Sequence, residues 1–126
     1  MSTKPFAAAL LLATLPFAAY GMDHRDADMA MTQAGAAIEA AERADAAQFD
    51  NADLGTAHAM LASAQAAADH RDWTESVFAS ENAKVDADLA TARSRQVRAE
   101  EATAEVERSV QTLREQLGVS NMGDQP

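Results

Sequence analysis

An all-α fold is predicted: a helical hairpin or three-helix antiparallel bundle, extended by a long C-terminal coiled-coil-like helix. Three features carry that expectation. Hydrophobic residues make up 48% of the chain while aromatics reach only 5%, and much of the apolar share is alanine. Alanine is the best helix former but buries little surface, so narrow helix–helix seams suit this composition better than a wide core. The prolines stand at Pro5, Pro16 and Pro126, so none interrupts the body of the chain. Finally, apolar residues recur every seven positions from Phe78 to Leu113, the period of a helix that packs along one stripe.

The first segment, "MSTKPFAAALLLATLPFAAYG", reads as a cleavable signal peptide over residues 1–21. Lys4 gives a short positive start, Pro5 to Pro16 an apolar run, and Ala19-Tyr20-Gly21 the small residues of a cleavage site. The apolar stretch stops short of the ~20 residues a membrane span needs. Cleavage after Gly21 leaves a chain that starts at Met22 and has no later hydrophobic span. Export to a periplasm is the expected localisation.

The helical domain is expected over 22–117, with helices at about 26–47, 51–69 and 73–117, followed by a disordered tail at 118–126. In the first helix Met31, Ala34, Ile38, Ala41 and Asp45 share one face, with Ile38 the single large anchor. "QFDNAD" interrupts it, and Asp50 or Asn51 can cap the second helix, whose stripe is Leu54, Ala57, Leu61, Ala64 and Ala68. In "DHRDWTES", Asp72 followed three residues later by Glu75 has capping-box spacing and places Trp73 at the start of the third helix. Nothing then breaks the helix until Gly118, a good residue to end one. At 1.5 Å per residue this third helix is roughly 67 Å long against about 28 Å for the second.

Along the long helix, Phe78, Val85, Ala92, Ala99, Val106 and Leu113 form one heptad set and Asn82, Leu89, Gln96, Thr103, Val110 and Leu117 the other. Read simply, this is a core stripe on a solvated helix. The two shorter helices reach only its first half, which leaves Val106, Val110, Leu113 and Leu117 on an uncovered arm. Such a stripe marks association, so the predicted partner is a second copy or another envelope protein.

Charge and residue inventory exclude several classes. A net charge of −10 without a local basic cluster argues against nucleic-acid and anionic-membrane partners. With no cysteine there can be no disulfide, thiolate metal site, cysteine nucleophile or lipobox attachment. HExxH, Gly-rich phosphate loops and nucleophile elbows are lacking as well. His58, four residues after Leu54, reads as a half-buried histidine paired with a carboxylate; His70 reads as a solvated turn residue. Adjacent acids such as Glu100 and Glu101 point apart on a helix. No catalytic or cofactor-binding residue is therefore assigned, and an enzyme is not expected. A minor metal reading concerns Met22-Asp23-His24: a new amine, two amides and a third-position histidine suit square-planar Cu(II) or Ni(II).

The stretch from Ile38 to about Ala92 resembles the bacterial family known as domain of unknown function 4398. The matching pieces are "AAIEAAERADAAQF", "ADLGTAHAMLASAQAAADHRDW" and "SVFASENAKVDADLATAR", with Phe49 at the first aromatic turn and Arg71-Asp72-Trp73 at the second. The chain departs from the family pattern in carrying Asp50-Asn51 where Ala-Pro is common, and in lacking a lipobox cysteine and an OmpA-like domain. The resemblance implies an exported envelope component and supplies no catalytic residues. The leading functional expectation is a structural or adaptor role through helix–helix contact, with a holdase-like periplasmic chaperone as the alternative.

Overall fold

The computed structural model describes residues 21–118. The expected signal peptide up to Tyr20 and the expected tail beyond Gly118 lie outside the described residues. The described residues form four helices in order: α1 (His24–Arg43), α2 (Ala46–Phe49), α3 (Asn51–Asp69) and α4 (Trp73–Gln116). The described residues form no strand, and the fold is all-α as expected.

Helix α1 starts at His24, ahead of the expected Asp26, because Asp23 and Asp26 form a reciprocal cap. The Asp23 side chain accepts from the Arg25 and Asp26 amides at 2.8 and 3.1 Å, and the Asp26 carboxylate accepts from the Asp23 amide at 3.1 Å. The helix also ends before the expected Ala47. Asp45, expected on the buried stripe, is instead exposed in a left-handed conformation (φ 60, ψ 33). Aspartate is one of the few side chains that tolerate this region. The single turn of α2 follows, and Asp50, the residue after it, caps α3 by accepting from the Asp53 amide at 3.5 Å.

The second reversal is tighter. His70 ends α3, Arg71 takes φ 59, and the amides of Arg71 and Asp72 donate to the carbonyls of Ala68 and Ala67, each at 2.9 Å. That pair of bonds is a Schellman motif. Asp72 then caps α4 by accepting from the Glu75 amide at 3.2 Å, which is half of the expected capping box. Trp73 meets His24 edge to face, with ring centroids 5.1 Å apart. At the other end Arg98 reaches Asp45 at 3.4 Å and Arg93 pairs with Asp53. These contacts set α1 parallel to α4 and α3 antiparallel to both. Both shorter helices pack extensively on α4 and more sparsely on each other.

The core is made of small side chains. Ala37, Ile38, Ala41, Ala46, Leu54, Ala57, Ala87 and Ala90 form the buried cluster, with Leu61 packed against it. On α4 the inward face is Ser76, Val77, Ala79, Ser80, Ala83, Ala87, Ala90, Thr91 and Ser94. The hydroxyls of Ser80, Thr91 and Ser94 turn back to carbonyls four residues earlier, at 2.8, 3.0 and 2.7 Å. They need no partner from another helix, so the facing backbones can approach closely.

The heptad stripe takes the opposite face, contrary to the expectation that its first half is core. Phe78, Val85 and Leu89 are 59, 62 and 38% exposed, whereas Ala87 is fully buried. Ala87 stands nine residues after Phe78, about two and a half turns on and hence across the helix. The reason is steric. Helices α1 and α3 present Ala27, Ala34, Ala37, Ala41, Ala57 and Ala64, and flat alanine faces fit the flat Ser/Ala face of α4 better than its ridge of large residues.

Candidate interaction surface

The outer face of α4 is one continuous feature along the whole helix. It begins at Phe78, passes Val85 and Leu89, narrows at the exposed alanines Ala92 and Ala99, and continues at Val106, Val110, Leu113 and Leu117. The four arm residues singled out from sequence are 61, 40, 55 and 75% exposed. Every residue from Arg98 to Gly118 is exposed, so α1–α3 leave the last five turns of α4 bare. Val106, Val110, Leu113 and Leu117 lie uncovered, and the structure adds Phe78, Val85 and Leu89 to the same exposed face. The overlooked signal was the poverty of α1 and α3 in large residues: a helix flanked by alanine faces has nowhere to seat Phe78, Val85 and Leu89.

Polar residues interrupt this face at Asn82, Gln96 and Thr103. Asn82 is half-buried, and Gln96 and Thr103 are exposed. The Gln96 amide donates to Glu100 at 2.9 Å, and the Thr103 hydroxyl donates to the Ala99 carbonyl at 2.9 Å. Glu81, Asp86, Asp88, Arg93, Arg95, Glu100, Glu107 and Arg114 border it. Coulomb attraction and repulsion along these edges can therefore select an orientation for whatever lies on the face.

Elsewhere the polar groups are engaged in ways that hold the bundle. His58 Nε2 lies 3.2 Å from Glu42 Oε1, joining α3 to α1, with both side chains about half exposed. His70 is exposed in the turn. His24, which the metal reading requires, has Nδ1 3.0 Å from Asp28 and its ring against Trp73. The Asp23 amide, also needed for square-planar wrapping, donates to Asp26. Metal binding there has to unwind the first turn of α1. Among the described residues no three His, Asp or Glu side chains converge on a metal-sized site.

A perturbed titratable group, Asp53, lies where α3 begins. Burial raises the Asp53 carboxyl above the ordinary aspartate range, helped by a hydrogen bond with Asp50 and by the charges of Asp50 and Asp86, while Arg93 opposes the shift. Asp50 is the more deeply set of the pair. Its side chain is 9% exposed, and its buried Oδ2 has no hydrogen-bond partner among the described residues, with Arg93 Nη1 3.7 Å away. Arg93 thus neutralises a carboxylate pair at the corner, and the group reads as a structural clasp between α3 and α4.

Comparison with family models, with curated proteins and with solved structures gave no match. Among the described residues no helix is long and apolar enough to cross a membrane.

Proposed function

We propose that this chain is a non-enzymatic helical component of a bacterial cell envelope, exported through a cleavable signal peptide, that serves a structural or adaptor role by helix–helix association through α4. One observation carries the reading. The core is built mainly of small residues with Ile38, Leu54 and Val77, while Phe78, Val85, Leu89, Val106, Val110, Leu113 and Leu117 are left in a line on the outer face of α4. A chain that needed only to fold has no use for that arrangement, because exposed Phe, Val and Leu stabilise nothing until something covers them. The signal-like N-terminal segment and the resemblance over residues 38–92 support the envelope setting. The acidic composition supports a protein partner in preference to nucleic acid or an anionic bilayer.

A photo-crosslinking residue at Val106 or Val110, activated in intact cells, tests this reading. Capture of one or a few defined envelope proteins, or of the chain itself, is expected. A broad spectrum of unfolded clients selects the chaperone alternative instead, and no capture at either position counts against α4 as an association surface.

A further inference from the structure

Granting the proposed association through α4, we infer that the occupant of its outer face is a second copy of this chain, paired parallel and in register over about 58 Å from Phe78 to Leu117. The heptad assigns Phe78, Val85, Ala92, Ala99, Val106 and Leu113 to the d positions. Asn82, Leu89, Gln96, Thr103, Val110 and Leu117 then occupy the a positions. In a parallel pair each a residue meets its own counterpart, whereas in an antiparallel pair it meets a d residue.

The polar interruptions separate the two arrangements. Every d residue is apolar, so an antiparallel pair sets Asn82, Gln96 and Thr103 against Phe, Val, Ala or Leu. The parallel in-register pair sets amide against amide at 82 and 96, and hydroxyl against hydroxyl at 103. The amides at 82 and 96 both donate and accept, so like pairs satisfy one another, while the Thr103 hydroxyl keeps its bond to the Ala99 carbonyl. Polar residues at a are the known means of fixing register at some cost in stability, and Val110 at a followed by Leu113 at d is the combination that favours two parallel strands.

The borders agree. In a parallel pair each g residue faces the e residue five positions on in the other copy. That match sets Asp88 against Arg93 and Arg95 against Glu100, with one repulsive contact, Glu81 against Asp86. Arg93 uses Nη1 on Asp53, and a guanidinium has further donors for a second carboxylate. Helices α1 and α3 pack mainly on the opposite side of α4 and reach the edge of this face only near its start, where Ala79 is buried and Asn82 and Asp86 are half-buried. Pairing also accounts for the arm. Most helical stability in proteins comes from tertiary packing of an apolar face, which α1–α3 do not supply beyond Val97.

Cysteine scanning in the naturally cysteine-free chain provides the test, with the chain expressed from its full sequence and purified as it accumulates. Asn82→Cys and Val110→Cys place thiols on the proposed axis near its two ends, and Arg108→Cys serves as an off-axis control. Circular dichroism verifies that each variant keeps its helicity. Light scattering of the unmodified protein is expected to give twice the chain mass at tens of micromolar. Mild oxidation is expected to link both axial variants to their own copies at least about tenfold faster than the control, since only they meet the distance limits of a disulfide. A dimer whose Asn82→Cys form does not self-link overturns the parallel register and leaves association through α4 standing. A monomer at tens of micromolar overturns the second-copy assignment. In that case capture of a different envelope protein from Val106 or Val110 leaves the proposed function intact, and capture of nothing removes both.

Discussion

At the scale of single residues, the turns carry most of the specific chemistry. Arg71 holds a left-handed conformation (φ 59) at the Schellman position between α3 and α4, where glycine is usual. Arg71→Gly is expected to raise stability by about 1 kcal/mol, the cost of the strained Cβ less the added chain entropy; a urea unfolding midpoint that stays put or falls contradicts this. Asp72→Ala removes a cap and is expected to cost about 1 kcal/mol, whereas Glu75→Ala costs only a few tenths, since only the Asp72 side chain makes its capping bond. Asp53 gives an unusual pH dependence. Its pKa is raised in the folded state, so the native chain binds a proton more readily than the unfolded one and this residue's contribution is lost as pH rises through the folded value. Relative to Asp53→Asn, the native protein should therefore gain stability as pH falls from 7 toward the ordinary aspartate range. A difference between the two that is constant over that range, or that grows with pH, contradicts the assignment. The caps at Asp50 and Asp72 and the stop at Gly118 were legible in the sequence because each is a local signal. The break at Asp45 was not, since Ala44, Ala46 and Ala47 are strong helix formers and only tertiary pairing with α4 makes a reversal there worthwhile.

At the scale of elements, α4 is a helix with two faces of opposite use. Both faces have three–four spacing, so periodicity alone could not say which turns inward, and the larger residues drew the reading to the wrong one. The choice is made by what the partners offer: alanine faces accept serine and alanine and exclude phenylalanine. The prediction is an asymmetry between the faces. Ala87→Leu, at a fully buried position, should destabilise the chain by about 1–3 kcal/mol through overpacking. The larger-to-smaller change Val85→Ala, on the exposed face, should leave helicity unchanged and weaken only association. Thermal unfolding at two protein concentrations separates these effects, because association makes the midpoint rise with concentration. Equal losses from both substitutions at low concentration would show that the faces are not distinct.

For the whole molecule, the division between bundle and arm was readable from helix lengths, and α1 ends and α3 begins beside Arg98 and Arg93 of α4. The all-α class followed from composition and from the absence of helix breakers. The extent of the open face was hidden, because it depends on how three helices fit side by side and not on any one of them. A core limited to Ile38, Leu54, Val77 and alanines buries modest apolar area, so much of the stability is expected to come from covering the outer face of α4. Pairing on this face is tested by sedimentation of the native chain beside a Val106→Glu, Leu113→Glu double variant at equal concentration. The native protein is expected at twice the chain mass and the variant at the single mass, with helicity retained. Equal masses for the two proteins would contradict it.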